Sequence, residues 1–466
     1  RERRGEEGRR IMLASFFSSF CSSLVLNFVE PARNVFYHAS QATGLSISQL
    51  SFVTAQLVNC PVVALTRKVS KGNARHIYGT VSTLGLLTLA YGRDVEQFVY
   101  AGALVYLFMR FFPKRCGYLT WGTIFTYQIY LHYERSSEAA WNAGNIDFTG
   151  SFMMATLRLI SLAMDYQDGV TGKKTKHSFS KFPTLLEYTG YLTGLGGILV
   201  GPHFYYDEYL RYANNQGEYE NLNSSSFPST VGPGIKAFMS SVFSVVIYFQ
   251  FGQVITNRAA ILTLNDARIS MWGKLFIGFI ANVEYRLKLY FAWHLEECAL
   301  ILSGFGFSGY SKYDERTPVW TKAVSSAMIE CEAPPSVAIA VVKWNRHTGM
   351  WLRNYVYDRI PMGGLAALLV TQTICGLWHG FSSSFILFFS HSALVIYCSR
   401  ILYRIQTKHM PKESRPYTDF LHSLFTMFML NYICGGYNVV SLAAVMDWWR
   451  SVNYVGHGLI LIIFAL

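Results

Sequence analysis

Apolar runs recur from one end of this chain to the other, and no soluble fold could bury all of them. They lie at residues 11–29, 50–65, 77–91, 95–112, 118–131, 235–256, 272–285, 289–307, 363–378, 381–402, 420–445 and 452–466. A helix needs about 20 apolar residues to cross a hydrocarbon core roughly 30 Å thick. Several runs are shorter, so they pack inside a bundle, tilt or re-enter, because backbone facing lipid must satisfy its own hydrogen bonds. The sequence therefore predicts an all-α, polytopic membrane protein. About eleven helices span, and re-entrant or in-plane helices accompany them. Composition excludes the alternatives. Of 466 residues only 15% are charged and 51% are apolar, against about 25% charged in a soluble domain. The same apolar content excludes a disordered chain.

The first ten residues, RERRGEEGRR, are charged and are expected to be disordered. With the apolar run after them they mimic a signal peptide. The many later runs make a retained first helix the better reading. Residues 11–466 are then expected to form a single membrane domain, since neither polar stretch, 205–230 or 309–345, has the makings of a soluble one.

The net charge of +12 comes from 40 Lys and Arg against 28 Asp and Glu. Basic clusters at 67–75, 110–115, 173–181 and 400–415 fit loops held on the cytoplasmic side, or loops that attract an anionic cosubstrate. No helix-turn-helix or zinc pattern accompanies them, so nucleic acid is not an expected partner. The eight cysteines are scattered without a CxxC pair, which predicts neither a metal site nor a disulfide framework.

Three stretches set costly polar groups in or beside apolar runs, where they usually mark function. His379, between Trp378 and Gly380, sits at the join of two runs. Histidine is the side chain best suited to move protons near neutral pH, although a packing histidine fits the same position. Residues 343–359 read as a helix with Trp344, Trp351 and Tyr355 near one face and Arg346, Arg353 and Asp358 available to phosphate. An interfacial amphipathic helix would look the same. Residues 188–209 carry glycines at 190, 194, 196, 197 and 201, which permit close helix approach or an unwound stretch beside a ligand. His203 and Asp207 are spaced HxxxD, not the HxxxxD of soluble-type glycerolipid acyltransferases.

Taken together, these stretches resemble the membrane-bound O-acyltransferase superfamily, and within it the lysophospholipid branch. Trp344-Asn345, Trp351-Leu352 and Val356-Tyr357 are similar to its WNxxxxxWLxxxVY motif, and Trp378-His379-Gly380 to its WHG, 34 residues after the asparagine. Gly201-Pro202 with Tyr209 resembles its GPxxxxxxY element, and Lys288, Tyr290 and Trp293 its KYYxxW element. Residues 157–169 and 301–310 also look like stretches of this branch. Two positions depart from the pattern. Ser384-Phe385 stand where a Gly-Tyr pair is common, and Leu289 replaces the first tyrosine of KYYxxW.

The resemblance implies helices around a central chamber and acyl transfer from acyl-CoA to the free hydroxyl of a lysophospholipid. No permanently bound cofactor is implied. His379 would be the general base, and Asn345 the group that orients the reactants or stabilises the oxyanion. Arg346, Arg353 and Lys288 would face the CoA phosphates. Trp344, Trp351, Tyr357, Trp378, Tyr290, Trp293, Gly201, Pro202 and Tyr209 would line the substrate path. The expected partners are acyl-CoA, lysophospholipid and bilayer lipid, and the implied location is the endoplasmic reticulum membrane, as a multi-pass protein. A sterol, diacylglycerol or protein acceptor is the nearest rival. A transporter using His379 with Asp165 or Asp168 is the rival outside enzymes.

Overall fold

The structure is a computed structural model that describes residues 30–135, 144–254, 266–314, 316–437 and 441–466. Segment 1–10 and the run at 11–29 lie outside the described residues. Among the described residues the chain is helical, and the only pairing of extended backbone is an isolated bridge between Tyr310 and Pro318. The principal helices are α1 (Glu30–Thr43), α2 (Ile47–Leu65), α3 (Asn73–Tyr91), α4 (Val95–Phe111) and α5 (Thr126–Arg135). They continue with α6 (Thr149–Val170), α7 (Leu185–Thr193), α8 (Tyr206–Ala213), α9 (Val231–Val254) and α10 (Met271–Leu302). The last six are α11 (Arg346–Tyr355), α12 (Gly364–His379), α13 (Ser383–Lys408), α14 (Arg415–Tyr437), α15 (Leu442–Ser451) and α16 (Val455–Phe464).

Local sequence sets several boundaries. Ser46 caps α2 and Thr184 caps α7. In each, the hydroxyl accepts the N–H three residues on, and Gln49 or Glu187 reaches back to the cap N–H. α13 has 26 residues, about 39 Å at 1.5 Å per residue, enough to cross a bilayer core. Ile47–Lys68, Val231–Gly252 and Ser383–Lys408 are long and apolar enough to span, while Gly364–His379 and Val455–Phe464 are apolar but shorter.

The observed segmentation differs from the sequence reading in three places. The runs at 272–285 and 289–307 are one helix, α10, because the polar residues between them sit on a helix that never breaks. The run at 118–131 is helical but opens into a π-helical turn at Trp121–Phe125. No run was assigned to α6, yet nearly all its side chains are buried. Its charged residues mask it in the sequence. The Arg158 guanidinium lies over the Phe204 ring, 4.1 Å from its centroid, and donates to the Leu192 carbonyl at 2.9 Å. Gln167 accepts the Gly117 N–H at 3.0 Å.

The chain divides into two compact units, one of Arg1–Thr126, Ala143–Gly234 and Cys298–Ala323, the other of Tyr127–Asn142, Ile235–Glu297 and Val324–Leu466. The first is built around α6. Close approach governs its glycine-rich stretch. A Cβ on Gly190 would collide with the Tyr209 hydroxyl and the His76 ring, so this glycine serves packing. The second unit holds an apolar core from α12 to α16, including Leu368, Ala393, Val395, Ile396, Met429, Tyr432, Ile433 and Trp448.

Candidate active site

His379 is the last residue of α12, and α13 begins four residues later. The reversal needs Gly380, whose φ of +146° disfavours a side chain and whose Cβ would come within 3.2 Å of the Phe385 ring. The turn folds α13 back so that Phe389 stacks on the His379 imidazole, with centroids 4.9 Å apart and planes 18° apart. Trp378 meets the same imidazole edge-on at 4.8 Å, and Phe385 at 6.4 Å. An aromatic wall therefore fixes the ring plane of a half-buried histidine. Ser384 and Phe385, the two departures after WHG, are both buried. Phe385 belongs to the wall, and Ser384 pairs with the Ser382 hydroxyl at 2.7 Å.

Sequence reasoning missed one neighbour. His132 on α5 lies beside Gly380, its Cγ 3.8 Å from where a Cβ would stand, and within electrostatic reach of His379. Its Nε2 pairs with the Gln128 amide at 2.5 Å. The available signal was a glutamine and a histidine one helical turn apart at the edge of an apolar run.

Asn345 stands immediately before α11 with φ +38° and ψ +59°. Asparagine tolerates this left-handed conformation better than other residues with a side chain. The backbone is held on both sides: Trp344 N–H donates to the Ala340 carbonyl at 2.8 Å, and Arg346 N–H to the Ser325 carbonyl at 2.8 Å. His347 Nε2 donates to the Val324 carbonyl at 3.2 Å. Burial and the adjacent Arg346 charge push its pKa down to about 4. Among the described residues, the Asn345 side chain has no hydrogen-bond partner, and none links it to His379. Two buried hydroxyls near it, Ser325 and Thr348, also lack partners.

Two motif elements far apart in sequence meet here. Trp344 packs edge-on against Trp293 at 5.0 Å and Tyr290 at 5.6 Å, both on α10. Tyr290 donates to Glu332 at 2.8 Å, which holds Arg286 through two bonds of 2.7 Å. Arg286 in turn donates to the Asn431 side chain at 3.0 Å. This network ties α10 to the segment before α11 and to α14.

The other expected site residues take different places. Trp351 is buried against Tyr355, with ring centroids 5.5 Å apart, and Tyr357 packs against the apolar core. Arg353 is exposed, 3.6 Å from Asp358. Lys288 turns towards Tyr285 and Tyr248, 4.7 and 5.7 Å from their centroids. Gly201, Pro202 and Tyr209 belong to the first unit. There Tyr209 is 1% exposed, and its hydroxyl is held by His76 Nδ1 at 2.8 Å. Asp207 pairs not with His203 but with His177, at 2.7 Å, and with Arg211 at 2.8 Å. Burial opposes its ionisation, but the His177 hydrogen bond and the Arg211 guanidinium hold its carboxyl below the usual range.

A model of the membrane-bound O-acyltransferase family matches residues 136–439. The chain is 30% identical to lysophospholipid acyltransferase 1 of Arabidopsis thaliana, over 91% of this chain and 95% of that protein. It is 29% identical to lysophospholipid acyltransferase 2 of the same plant, over 89% and 91%. To human membrane-bound glycerophospholipid O-acyltransferase 2 it is 24% identical, over 92% and 86%.

Proposed function

Since this chain belongs to the membrane-bound O-acyltransferase family, we propose that it transfers a fatty acyl group from acyl-CoA to the free glycerol hydroxyl of a lysophospholipid. The full-length similarity to plant lysophospholipid acyltransferases supports the acceptor class. The observation that carries the reading is the state of Asn345 and its surroundings. Among the described residues its carboxamide has no hydrogen-bond partner, two buried hydroxyls near it are unsatisfied, and the Trp344 and Arg346 N–H groups fix the backbone on either side of it. Buried polar groups are normally satisfied, so two unpartnered buried hydroxyls beside a half-buried carboxamide befit atoms that meet a substrate.

In this reading His379 accepts the proton of the lysophospholipid hydroxyl as its oxygen attacks the thioester carbon. The new C–O bond forms and the C–S bond breaks. The CoA thiolate then takes the proton from His379, returning the imidazole to its neutral form. Positioned general-base catalysis contributes about 10²–10⁴-fold. The Asn345 amide N–H donates to the carbonyl oxygen as negative charge grows there, or orients the alcohol. Acyl-CoA is already activated, so no acyl-enzyme is required. Arg346 and Arg353 would attract the CoA phosphates. Trp351, Tyr357 and Trp378 support the elements that carry Asn345 and His379, and Gly201, Pro202 and Tyr209 do so for the first unit.

The proposal places residues 11–466 in one acyltransferase domain with about eleven crossings, in the endoplasmic reticulum membrane. Purified protein should be given labelled acyl-CoA and competing acceptors: lysophospholipids, diacylglycerol and a sterol. Diacyl phospholipid with free CoA is the expected product. Product on sterol or diacylglycerol alone would overturn the acceptor class, and liposomal solute flux without acyl-CoA consumption would overturn the enzyme.

A further inference from the structure

Two basic clusters, at 110–115 and 173–181, stand far apart in the sequence, and the fold of the first unit joins them. The joint is aromatic. Phe182, just after the second cluster, meets Tyr106 of α4 at 5.2 Å and Tyr166 of α6 at 5.7 Å between ring centroids. Phe179 also meets Tyr166, at 5.6 Å. Its backbone passes Gly169 so closely that a Cβ there would strike the Phe179 carbonyl. Both tyrosines are within electrostatic reach of Arg110. The loop after α6 is thus pinned to the end of α4.

The faces of α4 set the depth of this joint. Tyr100, Leu104, Leu107 and Phe111 are exposed and recur every three or four residues, while Phe98, Ala101, Val105 and Met109 are buried on the opposite face. In a membrane protein such an exposed apolar stripe faces lipid tails. It is about 16 Å long at 1.5 Å per residue and stops at Phe111. Phe112 is exposed as well, and Lys114 and Arg115 follow at once, both exposed. Ionised side chains avoid hydrocarbon, so the joint lies in the head-group layer. Lys173, Lys174 and Lys181, also exposed, are held beside it.

Among the described residues, the ion pairs of the first unit join His177, Arg211 and Lys322 to Asp207 and Glu218, and none uses the cations at this joint. Of the acids nearest the loop in sequence, Asp168 is buried. Glu187 is engaged at the cap of α7, where its Oε2 accepts the Thr184 N–H at 2.8 Å and hydroxyl at 2.9 Å. Gathered cations repel one another, so their counter-charge comes from outside the chain. We propose that the rim formed by Arg110, Lys114, Arg115, Lys173, Lys174 and Lys181 is a docking surface for anionic phospholipids of the surrounding bilayer. Their phosphates meet the cations, and their chains lie along Phe111 and Phe112. Those exposed rings decide for a lipid over a soluble anion, which has no use for an apolar face beside its charge. The inference does not depend on the acyl-transfer reading.

The test uses the full chain, purified and placed in phosphatidylcholine vesicles with a trace of spin-labelled phosphatidylglycerol or spin-labelled phosphatidylcholine. At low ionic strength wild type should hold the anionic label at least about fivefold more tightly, what one Lys or Arg contributes at an anionic surface. The preference should fade in about 1 M salt, where the Debye length is roughly 3 Å. A variant combining Lys114→Gln, Arg115→Gln, Lys173→Gln, Lys174→Gln and Lys181→Gln should cut the preference at least about twofold. No preference in wild type, or an equal one in the variant, overturns the docking surface. An unchanged preference with a raised KM for acyl-CoA would assign these cations to the soluble cosubstrate, which also overturns it while leaving acyl transfer standing. Photoreactive phosphatidylglycerol on wild type alone guards against a variant that fails to fold. Its crosslinks should fall within residues 110–118 and 173–185, and crosslinks confined to other segments overturn the proposal.

Discussion

Tyr209 in the first unit and Asn345 in the second are treated in opposite ways. In the first, the Tyr209 hydroxyl is bonded to His76, the Gly190 surface is filled by that tyrosine, and Asp207 is held by His177 and Arg211. Their polar atoms are committed to the fold. In the second, the Asn345 carboxamide and the Ser325 and Thr348 hydroxyls have no hydrogen-bond partner among the described residues, while the supporting backbone and rings are fixed. A motif residue can thus be legible in sequence because it reacts or because it packs, and only the fate of its polar atoms separates the two cases.

Substitutions should expose this difference as a ladder of effects. The largest is expected at His379→Ala: a fall in turnover of about 10²–10⁴-fold, the contribution of a positioned base, with the protein still folded and inserted. Turnover near wild type would remove the mechanism. Asn345→Ala should lower turnover at least about tenfold, with little change in thermal stability, because no bond to the fold is lost. An unchanged rate would move Asn345 into the packing class. Trp344→Ala comes next. It removes two aromatic contacts worth about 0.5–1.5 kcal/mol each, so thermal stability should drop and turnover should fall through misplacement of Asn345. Stability loss with full turnover would uncouple α10 from the site.

The smallest effect belongs to the first unit. Tyr209→Phe loses one buried hydrogen bond, about 1 kcal/mol of stability, and should leave kcat within about twofold in an assay at 25 °C. A tenfold loss of kcat would show that the comparison between units is wrong. His347 supplies a pH test of the second unit. Its folded pKa of about 4 lies below the ordinary histidine value of 6.5, so the folded state favours the neutral ring. That contribution is present above about pH 6.5 and is lost as pH falls towards 4. His347→Gln should flatten the decline in thermal stability across that window.

The residues proposed to react were the most legible part of the chain. Asn345 and His379 stood out because polar groups among apolar runs are costly and because their motifs are local in sequence. The chain of supports behind them was not legible. Tyr290, Glu332, Arg286 and Asn431 are distant in sequence, and only folding makes them a network. α6 escaped notice for a related reason: Arg158, Asp165 and Asp168 break its hydropathy, and the Arg158 guanidinium meets Leu192 and Phe204 from outside the helix. The pairing of Asp207 was misleading in sequence, since the nearby His203 binds Ser161 at 3.0 Å while His177 takes the carboxylate.

By itself, the sequence determined the helical membrane class, the family and the two residues expected to react, because hydropathy and short motifs are properties of contiguous residues. Tertiary structure alone decided that, among the described residues, the carboxamide of Asn345 and the Ser325 and Thr348 hydroxyls near it are left without a hydrogen-bond partner. The reason is physical. Whether a buried polar atom is satisfied depends on groups that arrive from distant parts of the chain, and no local pattern specifies their arrival.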